Sequence, residues 1–242
     1  MKKSKISRYL IISIVFFLFS RTIYSQNYIG FKAGVSKVKF FDFEKSEDFD
    51  VVYPFKNAML FGFFYENKID STKNFRVELQ YQFLNADMEI KNNSGNSSYY
   101  KSLNYSFQQL GINILYSLNI FESKSFKVFL PFGVAAAYTV KTKSKGNGWD
   151  FVYQTQIDTN GYPVRIIRTQ NWVKNEEDSK DLSQFNFGCN VGVDFIKPIN
   201  RKIDIIVQNN YTFFLTHIKP TSTKYMSLLS GNLNIAIRYT LR

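Results

Sequence analysis

From Phe75 to Phe83 the chain reads Phe, Arg, Val, Glu, Leu, Gln, Tyr, Gln, Phe, with apolar or aromatic residues at the odd positions and polar ones at the even positions. Successive side chains of a strand point to opposite faces, so a period of two marks a strand with one greasy and one wet side. The pattern recurs along the chain. Leu233, Ile235, Ile237, Tyr239 and Leu241 oppose Asn232, Asn234, Arg238 and Thr240, while Phe185, Phe187, Cys189, Val191, Val193 and Phe195 oppose Asn186, Gly188, Asn190, Gly192 and Asp194. A fourth segment sets Phe126, Val128, Leu130, Phe132, Val134, Ala136 and Tyr138 against Lys127, Pro131, Gly133 and Thr139. Weaker patterns cover 28 to 38, 56 to 66, 104 to 118 and 203 to 213, where a bulge or a switch of phase is needed. Together they predict eight strands.

The connections between these strands are sorted by parity. The first, third, fifth and seventh gaps (39 to 55, 85 to 103, 141 to 181, 214 to 224) are long, and the three between them (67 to 73, 119 to 124, 197 to 201) are short. Membrane barrels have this arrangement, with long loops on one side of the bilayer and short turns on the other, whereas a soluble sandwich has no reason for it. The expected fold is therefore all-β, an eight-stranded antiparallel up-and-down transmembrane barrel. An even strand count leaves both termini on the short-turn side. Mean hydropathy of −0.22 excludes a bundle of membrane helices but permits a barrel, in which only alternate residues meet lipid. Aromatic residues, 18% of the chain, suit both pleated surfaces and membrane interfaces.

The 141 to 181 segment carries a hairpin signal of its own, Phe151 to Asp158 and Tyr162 to Val173 flanking Asn160 and Gly161. It reads as a hairpin projecting above the membrane or as two more spanning strands in a ten-stranded barrel. Arg165 and Arg168 would fall on opposite faces of the second arm, and a lipid-facing arginine at mid-membrane costs roughly 2–4 kcal/mol. That favours the projecting hairpin.

Lys2, Lys3, Lys5 and Arg8 precede an apolar run from Tyr9 to Phe19, and Ser25 supplies a small residue at a cleavage position. The run is shorter than the roughly 20 residues a spanning helix needs. It reads as an export signal, residues 1–25, ahead of one barrel domain at 26–242 with a long insertion at 141–181. Cleavage would remove five positive charges and no negative ones, taking the formal charge from +12 to about +7. Cys189 is the one cysteine, so no disulfide forms within the chain, and the stability of an exported protein must come from elsewhere. Complete backbone pairing in a closed barrel supplies it.

Chemistry-bearing residues are few. His217, the one histidine, is read with Lys219, Pro220, Ser222 and Ser227 as part of a solvated loop rather than of a nucleophile dyad. One His and one Cys on separate segments make no zinc site, and Asp42, Glu44, Glu47, Asp48 and Asp50 lack the glycine of a calcium loop while Phe40, Phe41, Phe43 and Phe49 interleave them. No catalytic, cofactor-binding or metal residue is assigned, and the chain is not read as an enzyme. Lys32, Arg76, Glu78, Lys127, Asp194, Asp204 and Arg238 are expected to point inward with Gln80, Gln82, Asn190 and Asn234. An eight-stranded barrel is only wide enough for its own side chains, so these charges should pair and plug the lumen. Tyr28, Tyr65, Tyr81, Tyr116, Tyr138, Tyr211 and Tyr239 are expected to form interface girdles.

The order of these features resembles the PorT-like outer-membrane β-barrel family of the Bacteroidetes-type envelope. The matching pieces are Ile29 to Val35 (Ile-Gly-Phe-Lys-Ala-Gly-Val), Leu60 to Phe64, Val77 to Tyr81, Pro131-Phe132-Gly133 and Ile237-Arg238-Tyr239. The resemblance implies an integral outer-membrane protein and, for some members, a part in type IX protein secretion. Three departures weigh against carrying that role over: Gln108-Gln109-Leu110 where the family tends to place a proline, the long 141 to 181 segment, and a terminal Arg242 in place of an aromatic. The expected role is binding, or envelope structure, through the surface loops, with secretion accessory as the alternative. Expected partners are outer-membrane lipid and lipopolysaccharide, with envelope or secretion-machinery proteins, no nucleic acid, and a monomeric barrel.

Overall fold

The computed structural model describes residues 26–42, 50–92, 99–157, 159, 162–177, 184–218 and 226–241. Its strands are β1 (Asn27–Asp42), β2 (Asp50–Val52), β3 (Lys56–Lys68), β4 (Lys73–Asn92), β5 (Tyr99–Glu122), β6 (Lys127–Ile157), β7 (Pro163–Glu177), β8 (Phe185–Pro198), β9 (Ile203–Ile218) and β10 (Met226–Leu241). Eight of them close a ring in the order β1, β3, β4, β5, β6, β8, β9, β10. Every pairing is antiparallel, and the first strand meets the last from Asn27↔Leu241 to Asp42↔Met226, leaving the ring no free edge.

The two remaining strands stand outside the ring. β8 pairs with the lower part of β6, from Lys127↔Ile196 to Tyr138↔Phe185, and β7 pairs with its upper part, from Lys143↔Glu177 to Ile157↔Pro163. The 141 to 181 segment is thus a projecting extension of the barrel wall, and the ten-stranded alternative falls away. Its Asn160-Gly161 turn lies outside the described residues. Short β2 pairs with the top of β4 through Asp50↔Lys91.

Where the sequence predicts long loops, the structure has strands that keep going. Much of the 85 to 103 gap is the paired ends of β4 and β5, out to Asn92↔Tyr99. Sequence alternation fades there because the upper ends leave the lipid and no longer need an apolar face. Pro131 has no N–H to give, and the β6–β8 ladder lapses between Phe129↔Asp194 and Phe132↔Val191.

Outward rows are apolar: Phe61 and Phe63 on β3, Ile112 and Ile114 on β5, and Ile235 and Ile237 on β10 are all exposed. The ten residue steps from Leu130 to Val140 on β6, at about 3.4 Å each and a tilt of roughly 40°, climb about 26 Å, close to the ~25 Å of an outer-membrane apolar band. Inside, close packing demands space. A Cβ on Gly30 would sit 2.2 Å from the inward Phe64 ring and 2.7 Å from the Ile237 carbonyl oxygen, so only glycine fits there.

Candidate functional site

The inward residues of β4 run Arg76, Glu78, Gln80, Gln82, Leu84, Ala86, Met88, all buried. Charge gives way to amide and then to hydrocarbon as the strand climbs from the short-turn end. β9 (Asp204, Gln208, Asn210, Thr212, Phe214) and β10 (Arg238, Asn234, Asn232, Ser230, Leu228) follow the same trend, with Ile206 and Ala236, part of a second apolar cluster with Phe64, Phe129 and Ile196, set between charge and amide. The lumen is therefore layered.

Its ionic layer is continuous. Arg76 contacts Glu66 at 2.5 Å, Asp194 at 2.6 Å and Glu78 at 3.5 Å. Lys32 donates to Glu78 at 2.6 Å, and Asn113 donates to the same carboxylate at 3.0 Å. Arg238 joins Glu66, donates to Asp204 through Nε at 2.9 Å and Nη2 at 2.7 Å, and lies 4.0 Å over the Tyr28 ring. Three cations thus meet four carboxylates, with partners drawn from β1, β3, β4, β5, β8, β9 and β10. Pairing of this kind is what makes buried charge tolerable, since an isolated ion out of water costs several kcal/mol.

Above the amides, Phe40, Leu84, Leu103, Tyr105, Phe107 and Phe214 fill the upper lumen. Phe40 meets Tyr105 edge to face at 5.5 Å between centroids. This apolar plug and the ionic layer leave the barrel interior occupied by its own side chains. The sequence places Phe40 in an acidic surface loop, but it is fully buried on the lumen side of β1. Asp42 and Asp50 lie on β1 and β2, and Glu44, Glu47 and Asp48 lie outside the described residues.

Other expected placements divide. Lys32, Arg76, Glu78, Asp194, Arg238, Gln80, Gln82, Asn190 and Asn234 are buried in the lumen, and Asp204 sits at its lower rim. Lys127 is a correction: it lies at the β5–β6 turn, paired outside the barrel with Glu122 at 2.5 Å. A second correction is Tyr28, which is 7% exposed and faces inward beneath Arg238, while Tyr138, Tyr211 and Tyr239 face out. Glu66, at the centre of the network, escaped the sequence reading. It shares parity with Leu60, Gly62 and Phe64, and an inward phenylalanine disguises that face as the lipid side.

Ser227 is buried on β10, and His217, expected in a loop, is the penultimate residue of strand β9, where only its backbone is described; Ser222 lies outside the described residues. Cys189 faces outward. Among the described residues no group of three His, Cys, Asp or Glu side chains is placed to hold a metal ion.

A closed ring with a polar, ion-paired interior and an apolar outer belt is a membrane-spanning barrel, the solution that satisfies every backbone group without water. The chain belongs to the outer membrane protein beta-barrel domain family, whose model matches residues 24–219, and it is an outer-membrane β-barrel protein. Similar solved structures include Neisserial surface protein A (12% identity, 88% of this chain and 97% of that one, TM-score 0.40). The attachment invasion locus protein Ail of Yersinia pestis (8%, 89% and 99%, 0.39) and OprG of Pseudomonas aeruginosa (9%, 90% and 97%, 0.40) are similar too. No curated protein matches the chain.

Proposed function

We propose that the protein is a surface-binding component of the outer membrane that acts through the sheet rising above the apolar belt, without catalysis and without a solute channel. The observation that carries this reading is β7, a fifteen-residue strand that pairs with β6 and has no second partner among the described residues. An unpaired strand offers a row of backbone donors and acceptors to an extended segment of another chain. The filled lumen argues in the same direction, because a plugged barrel has its outer surface left to work with. Residues 1–25 fit a leader removed after Ser25, which N-terminal sequencing of the mature protein would check.

A photo-crosslinking residue at Asn171 on β7, compared with one at Ile199 in the β8–β9 turn, tests the proposal in intact cells. Discrete adducts from Asn171, and none from Ile199, support surface binding. Adducts from Ile199 alone would overturn it and favour the secretion-accessory reading that the PorT-like resemblance suggests, for which loss of secreted proteins on deletion is the direct assay.

A further inference from the structure

The lipid-facing rows end at Phe83 on β4, Leu110 on β5 and Val140 on β6, all exposed. Above Val140 the register shift between Gln108 and Gln109 turns Lys141 and Lys145 outward, which marks the upper limit of the apolar belt. Well inside that belt, the outer row of β9 from Ile203 to Leu215 is apolar or aromatic except at Asn209, which is exposed at its centre. Asn209 stands six residue steps from either end of the row. At about 3.4 Å a step and a tilt of roughly 40°, that is about 16 Å from each end along the membrane normal, close to mid-bilayer. Its ladder neighbours are Val193 and Leu233, and among the described residues its carboxamide has no hydrogen-bond partner.

The surface around this amide is low. Cys189, Val191, Val193 and Val207 carry short side chains, and the Tyr211 ring lies across Gly231 of β10, where a Cβ would stand 3.2 Å from its Cε1. On the opposite wall, rings project: Phe61, Phe63 and Phe83 are exposed, and Phe63 stands 5.2 Å from Phe31.

We propose that this face of β8 and β9 docks a second copy of the chain within the membrane, with the two Asn209 carboxamides bonded to each other. A carboxamide holds both donors and an acceptor, so each can donate to the oxygen of the other, whereas acyl chains offer neither group. Two copies related by a two-fold axis along the membrane normal keep every residue at its own depth. The group that meets Asn209 at mid-bilayer is therefore Asn209 itself. Short side chains let the two walls approach closely enough for that bond, as small residues do where membrane helices associate. The protein is then a dimer in place of the monomer expected from its sequence. Diluted in lipid, the copies separate and the amide meets hydrocarbon. The inference stands on the belt and is independent of the free edge of β7.

Single-molecule photobleaching of the folded barrel in phospholipid vesicles, read across a range of protein-to-lipid ratios, tests it. The wild type should pass from one bleaching step to two as its density rises, and stop there. Asn209→Leu should need about tenfold higher density to pair, while Asn209→Gln, which keeps the amide, should stay within about threefold of the wild type. Leu79→Ala, on the opposite wall, should pair as the wild type does. In cell envelopes, which need no refolding, Asn209→Cys in a Cys189→Ala background should be trapped by a membrane-permeant oxidant as a disulfide-linked pair of barrels, and Leu79→Cys should not. Single steps at every density, pairing of Asn209→Leu at wild-type density, Asn209→Gln no better than Asn209→Leu, or a cross-link from Asn209→Cys to a different protein would each overturn the proposal.

Discussion

Arg76 and Asp194 stand 118 positions apart in the chain and 2.6 Å apart in the lumen, joining β4 to β8 across the barrel. Because Arg76 also holds Glu66 and Glu78, it is, among the described residues, the one cation shared by three carboxylates. Replacing it with Met would leave those anions uncompensated, and breaking a buried pair in this way costs about 3–5 kcal/mol. Urea unfolding in lipid vesicles should show a loss of that order for Arg76→Met, and adding Asp194→Asn should restore part of it.

Asn209 is the exception on the outer belt. It is exposed on β9 between Val207 and Tyr211, opposite Val193 and Leu233 in the ladder, with apolar neighbours on every side. An amide left without partners in an apolar medium costs about 1–3 kcal/mol by protein mutational measures. Asn209→Leu should therefore stabilise the barrel in vesicles by an amount of that order. An unchanged or lower unfolding midpoint would show that Asn209 does not face lipid.

Gly30 makes room for Phe64, as the 2.2 Å approach of a hypothetical Cβ requires. Overfilling a close-packed interior costs about 1–3 kcal/mol. Gly30→Ala should lower the unfolding midpoint accordingly, and Gly30→Ala combined with Phe64→Leu should recover only the share due to the ring, because the Ile237 carbonyl oxygen still stands 2.7 Å from the new Cβ, a coupling that a double-mutant cycle reads directly.

In the β3–β4 turn, the Thr72 backbone N–H and hydroxyl donate to Asp70 Oδ1 at 2.7 Å and 2.8 Å, and the first of these contributes most to holding the carboxyl below its usual range. A carboxyl lowered on folding stabilises the turn above the unfolded pKa, and that contribution is lost as pH falls through the lowered value. The Asp70 carboxyl carbon, followed by NMR, should titrate below a free aspartate. Thr72→Val should move it upward only partly, because the backbone donor remains.

The ring and its strand count were legible because the bilayer imposes a strict period of two on every spanning segment, as Phe75 to Phe83 and Leu233 to Leu241 display. Charge pairing in the lumen was legible for the same reason. Tyr28 and Phe40 were not, since each is an aromatic residue facing the lumen, which holds its own apolar layer, and Glu66 was not, because the inward Phe64 beside it looks like a lipid-facing one. Lys127 was misplaced because strand ends carry no alternation to fix their phase. The outward lysines above Val140 escaped notice for a related reason, because a one-residue bulge reverses the parity of everything beyond it.

Depth-resolved accessibility of nitroxide labels tests the central claim most directly, using single cysteines at Leu79, Ile112, Ile235, Gln80 and Lys141 in a Cys189→Ala background. Labels at Leu79, Ile112 and Ile235 should collide freely with lipid-dissolved oxygen and hardly at all with a water-soluble nickel chelate, while Lys141 meets the chelate and Gln80 neither reagent. If the three apolar positions were shielded from both reagents, as in a protein core, hydrocarbon would not be the medium around this barrel and the account would be contradicted.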